Sequence, residues 1–91
     1  MRPISVLFVD DNAVFLSIVT RFMDEHHARD LTLLATARNG EEAVVLAKEQ
    51  RPEAVVMDLT MPGVSGLELI ARLRSVAPLT GIVVLTLNEA R

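Results

Sequence analysis

The residues of this sequence best suited to chemistry are acids and a hydroxyl placed at the ends of apolar runs. Asp10 and Asp11 follow ISVLFV (residues 4–9), Asp58 follows AVVM (residues 54–57), and Thr86 follows GIVVL (residues 81–85). Two carboxylates about 4 Å apart repel by roughly 4 kcal/mol at an effective dielectric near 20. A cluster of three therefore takes up protons or holds a cation. Oxygen donors without His or Cys suit a hard ion such as Mg2+, which commonly takes one or two carboxylates, several waters and a phosphate oxygen. A carboxylate beside such an ion can attack a phosphoryl group and form an acyl phosphate. A hydroxyl such as that of Thr86 can hydrogen-bond one of the transferring oxygens. Taken singly, each residue has a plainer reading: an Asp pair after a strand caps a helix, Asp58 is a turn acid, and Thr86 bonds to backbone. Their joint occurrence at three strand ends favours the functional reading.

The elements that must position them alternate between two periodicities. Residues 4–9 are short and almost wholly apolar, as in a parallel strand covered on both faces. Phe15, Ile18, Val19 and Phe22 then recur at helical spacing, with Met23 beside them, predicting a helix of about four turns. Residues 31–37 (LTLLATA) read as a second strand. Asn39 caps a second helix with Glu42 at its third position; Val44 and Ala47 give that helix its stripe, and Pro52 closes it. Residues 54–57 form a third strand. Ser65-Gly66-Leu67-Glu68 is a capping box opening a third helix, with Leu69, Ile70 and Leu73 on one side. Residues 81–85 make a fourth strand. This β-α-β-α-β-α-β order predicts an α/β domain, a parallel sheet with helices on both faces and right-handed crossovers. Ligands of such sheets bind at strand carboxyl ends. In a 2-1-3-4 strand order, which alternation alone does not fix, strands one and three are neighbours, and Asp10, Asp11 and Asp58 meet.

Composition narrows the alternatives. The 91 residues, 51% of them hydrophobic, make one domain with no second unit, linker or repeat. No apolar run approaches the roughly 18 residues of a membrane span, and no signal peptide opens the sequence. The absence of Cys excludes thiolate chemistry and agrees with a reducing, cytoplasmic setting. A net charge of −3 and 3% aromatic residues argue against a nucleic-acid face in this segment. His26 and His27, adjacent on a helix, point apart and cannot share a metal. Lys48 reads as a surface residue. Neither GxGxxG nor GxxxxGK[ST] occurs, which argues against dinucleotide and P-loop sites.

With VLFVDDN, NGEEA, VVMDLTMPGVSGLEL and VVLT in this order and spacing, the chain resembles the receiver domain of two-component response regulators along essentially its whole length. The resemblance implies a flavodoxin-like fold of strand order 2-1-3-4 and a phosphoryl acceptor rather than an enzyme. It implies Asp58 as the phosphoacceptor, receiving its phosphoryl group from the phosphohistidine of a histidine kinase. It further implies Mg2+ held by Asp10, Asp11, Asp58 and the backbone carbonyl of Thr60, with Thr86 as the switch hydroxyl. Pro62 and Gly63 would shape the loop after the acceptor, and Gly66 would begin the next helix.

Two departures from the family pattern carry expectations. The residue after the switch Thr is ordinarily small; here Leu87 narrows access for small phosphodonors and phosphatases. A complete receiver also has a fifth strand with a Lys that pairs with the phosphoryl group, and no residue of this sequence takes that role. The expected domain, residues 1–91, is thus incomplete at its C-terminus, without a fifth strand and the last helices. Residues 82–85 become an exposed sheet edge and one sheet face loses cover, so self-association is expected through either. A non-phosphorylated interaction or dimerisation module is the alternative reading. A Mg2+-dependent phosphatase would want an Asp where Asn12 stands, and a flavin carrier would want more aromatics.

Overall fold

The computed structural model describes residues 2–26, 29–58 and 65–85. Seven elements follow in order: β1 (Ile4–Val9), α1 (Ala13–His26), β2 (Leu31–Ala37), α2 (Gly40–Gln50), β3 (Ala54–Asp58), α3 (Gly66–Val76) and β4 (Gly81–Leu85). The four strands form one parallel sheet in the order β2-β1-β3-β4. Sequence periodicity places every element, and the structure supplies the neighbour relation that periodicity cannot.

Local signals start the helices as expected. Asn39 Oδ1 accepts the Glu42 backbone N–H at 2.8 Å, and Ser65 Oγ accepts that of Glu68 at 3.3 Å. The Glu42 side chain reaches back one residue further than a capping box requires, accepting the Arg38 backbone N–H at 2.8 Å. Helix α2 ends at Arg51 in the left-handed region, φ 48°, with its N–H bonded to the Ala47 carbonyl.

One cluster of buried residues lies on one side of the sheet. Leu7 and Val9 of β1, Ala37 of β2, and Val55 and Met57 of β3 meet Ala43 and Ala47 of α2 and Leu69 and Leu73 of α3. Small residues on α2 (Gly40, Ala43 and Ala47, all buried) let that helix lie close against the strands. The alternate residues of β1 face the other way, where Phe8 meets Phe15 of α1 with ring centroids 6.0 Å apart. Helices therefore cover both faces.

On α1 the expected stripe is displaced. Leu16 and Met23 are buried, whereas Ile18 is 60% and Phe22 51% exposed. The helix is apolar around much of its circumference, so both the 15-18-19-22 and the 16-19-20-23 sets satisfy helical spacing. The sheet selects the second set, in which Val19 and Thr20 are half-buried.

Among the described residues β4 is a sheet edge. Ile82 packs against the core, but Val83, Val84 and Leu85 are 46%, 37% and 39% exposed. At the amino end of the sheet, Glu53 ties β3 to β1: Arg2 donates to both its carboxylate oxygens (2.8 and 3.0 Å) and the Ser5 N–H to one of them (2.9 Å). Among the described residues no helix is long and apolar enough to cross a membrane.

Candidate functional site

At the carboxyl end of the sheet, Val9 pairs with Met57. Their successors, Asp10 and Asp58, therefore leave neighbouring strands at one level, and such strands run about 4.8 Å apart. The parallel pairing brings together acids 48 residues apart in sequence (58 minus 10).

Asp10 is 4% exposed. Its N–H continues the β1–β2 ladder to the Ala37 carbonyl at 3.0 Å, which fixes where the side chain emerges. Its Oδ1 accepts the Asn12 backbone N–H at 2.9 Å, folding the chain back toward α1. Asn12 then caps that helix, its Oδ1 accepting from the Phe15 N–H at 3.0 Å and its carbonyl from the Leu16 N–H at 3.0 Å. The cap role of Asn12 escaped the sequence reading, although an Asn directly before an apolar helical segment is a recognised start signal.

Electrostatics bear on the cluster. Burial pushes the Asp10 carboxyl above the ordinary value near 3.8; the Asn12 N–H opposes this, and repulsion from Asp58 and Asp11 adds to it. A carboxyl–carboxyl hydrogen bond to Asp11 works in the same upward direction. Asp11 is exposed and Asp58 half-buried. The structure thus makes Asp10 the buried member of an acidic cluster in which both other expected acids act on it.

The donor set is one of hard oxygens without imidazole or thiolate. Among the described residues no three acidic or His side chains form a ready-made cage for a metal ion. Mg2+ does not require one, since it keeps several waters and takes only one or two carboxylates. A buried carboxyl pushed up by burial and by neighbouring acids, as Asp10 is, fits an ion whose charge relieves that repulsion.

Leu85 pairs with Asp58, so β4 ends level with the acids. The remaining expected site residues, Thr60, Pro62, Gly63, Thr86 and Leu87, lie outside the described residues. Gly66 begins α3, as expected. Lys48 sits in the last turn of α2, away from the acids.

Comparison with known proteins agrees with this geometry. The response regulator receiver domain family matches residues 6–91. A protein-glutamate methylesterase/protein-glutamine glutaminase of Bacillus licheniformis is 37% identical over 86 residues, 94% of this chain and 24% of that protein. The probable transcriptional regulatory protein TcrX of Mycobacterium tuberculosis is 35% identical over 89 residues, 98% of this chain and 36% of that protein. Among solved structures, the response regulator domain of Thermotoga maritima CheB superposes with a TM-score of 0.80 at 32% identity, covering 93% of this chain and 61% of that one. The chain spans between about a quarter and a little over a third of the length of these two curated relatives. A parallel sheet of order 2-1-3-4, acids at the ends of its two central strands and a family match over nearly every residue lead to one conclusion: the chain belongs to the response regulator receiver domain family.

Proposed function

We propose that this receiver accepts a phosphoryl group on Asp58 from the phosphohistidine of a histidine kinase in the cytoplasm. A carboxylate oxygen of Asp58 attacks phosphorus, the P–N bond to imidazole breaks, and the leaving nitrogen keeps the electron pair and takes a proton. The product is an acyl phosphate on Asp58. Asp10 and Asp11 would hold Mg2+ together with Asp58 and the Thr60 carbonyl. The ion would neutralise charge on the transferring oxygens. Asp10 is buried and its carboxylate is held by the Asn12 N–H, which fixes the side chain that would bind the ion. Thr86 would donate its hydroxyl to a phosphoryl oxygen. The receiver is an acceptor and does not itself turn over substrate.

The observation that carries this reading is the level placement of Asp10 and Asp58 on paired strands, with their mutual repulsion. Incubation with Mg2+ and acetyl phosphate or phosphoramidate, followed by intact mass measurement, tests it. One phosphoryl addition, absent in Asp58→Asn, is expected. No addition to the wild-type protein under either donor sinks the reading.

The exposed Val83, Val84 and Leu85 favour a second reading, an interaction module that works without phosphorylation. On either reading, we propose self-association through the exposed β4 edge or an uncovered part of the sheet face, most simply as a two-fold dimer.

A further inference from the structure

At the end of the sheet remote from the acids lies a cavity of about 490 Å3. Its walls come from the turn after α2 (Pro52) and the segment leaving α3 (Val76, Ala77, Pro78, Leu79). That volume falls within the range of small-molecule sites, which are mostly apolar with a few fixed polar groups. The polar groups of the wall are already committed. Thr80 Oγ1 donates to the Pro52 carbonyl at 2.7 Å, and Arg74 Nη1 donates to the Thr80 carbonyl at 2.8 Å. These bonds join the turn before β3 to the turn before β4, so the walls are held in place.

Two features at the rim stand out. Leu79 is 97% exposed, an apolar side chain standing in water beside an apolar hollow. Arg51 also lines the cavity, in the left-handed backbone region that glycine occupies at less cost. Among the described residues no ion pair or hydrogen bond engages its guanidinium, while Glu53, which also lines the cavity, has its carboxylate occupied by Arg2 and Ser5. The rim therefore offers one uncommitted cation beside an apolar cleft.

We propose that this cavity is a binding site for a small amphipathic anion, an aliphatic or aromatic carboxylate, with its apolar body on Val76, Pro78 and Leu79 and its carboxylate on Arg51. Neither half suffices alone: the charge is exposed and screened, and the cleft is shallow. The site lies at the opposite end of the strands from Asp58 and is independent of phosphorylation there.

Octanoate, 1-octanol and inorganic phosphate, each titrated into the isotopically labelled polypeptide and followed by amide chemical shifts, provide the test. Octanoate is expected to shift residues 51–53 and 76–80 with a Kd of about 1 mM, tighter than 1-octanol, and phosphate alone to shift nothing. Arg51→Gly keeps the fold, because glycine prefers that backbone region, and is expected to weaken octanoate about fivefold while leaving 1-octanol unchanged. Leu79→Asp, at an exposed position, is expected to weaken both. No octanoate shift at about 10 mM, equal octanoate affinity in Arg51→Gly, or phosphate binding as well as octanoate would each overturn the proposal.

Discussion

Replacing Asp58 with Asn is expected to stabilise the metal-free protein while removing its phosphoryl chemistry. The amide matches the carboxylate in size, so packing at the end of β3 is preserved while the negative charge facing Asp10 is removed. For carboxylates about 6 Å apart on neighbouring strands, the repulsion is about 0.7 kcal/mol in water and about 3 kcal/mol at an effective dielectric of 20. Asp10 is buried but Asp58 is half-exposed, which places the relief near the lower part of that range, about 1 kcal/mol. With a urea m-value of about 1 kcal/mol/M, the midpoint rises by about 1 M in EDTA. Saturating Mg2+ reverses the order, because a ligand at about 100 times its Kd contributes about 2.7 kcal/mol to the form that binds it. Wild type gains most of that and the variant, lacking one acid, gains less. Urea titrations followed by circular dichroism, with EDTA and with Mg2+, measure all four values. An unchanged midpoint for Asp58→Asn in EDTA, or equal Mg2+ stabilisation of both proteins, would refute the acidic-cluster argument.

Further outcomes follow from the same structure. Leu73→Ala, at a position 1% exposed between α3 and the sheet, is expected to cost about 3–5 kcal/mol and to unfold much of the sample at ambient temperature, as read by circular dichroism. Asn39→Ala removes the acceptor for the Glu42 N–H and is expected to lower stability by about 1 kcal/mol in the same assay. The raised pKa of Asp10 means that the folded state holds this proton more tightly than the unfolded chain. Its contribution is full below the unfolded value and is lost as pH rises through the folded one, so Asp10→Asn removes the loss of stability that sets in as pH rises above about 3.8 in a profile taken in EDTA. Glu41 and Glu53 act in the opposite sense: the Arg72 guanidinium lowers the first, and the Ser5 N–H and then Arg2 lower the second. Their contributions are present above the unfolded value and fade as pH falls, and Glu53→Gln should shrink the acid arm. Val83→Lys on the β4 edge is expected to shift sedimentation toward the monomer; an unchanged distribution would place any association elsewhere.

How much was legible in the sequence depended on how local the cause was. Strands appeared because residues 4–9, 54–57 and 81–85 are almost wholly apolar, as expected of covered parallel strands. Helix starts appeared because Asn39 and Ser65 carry side-chain oxygens three residues ahead of an N–H that needs an acceptor. The face of α1 did not appear. Ile18 and Leu16 are equally apolar, and only contact with the sheet decides that Leu16 is buried and Ile18 exposed. The role of Asn12 was overlooked because its two acidic neighbours drew the reading toward charge, though the side chain simply caps a helix.

The order of elements, the apolar runs and the acids that close them are properties of the chain, settled by composition and spacing within a dozen residues at a time. The adjacency of β1 and β3 is of another kind. Nothing within either strand states that Val9 lies beside Met57, since both strands are apolar and either could pair with others. Only the closing of the sheet, with α1 on one face and α2 and α3 on the other, sets that register. It turns two separate acids into a cluster in which burial and repulsion act on Asp10 together.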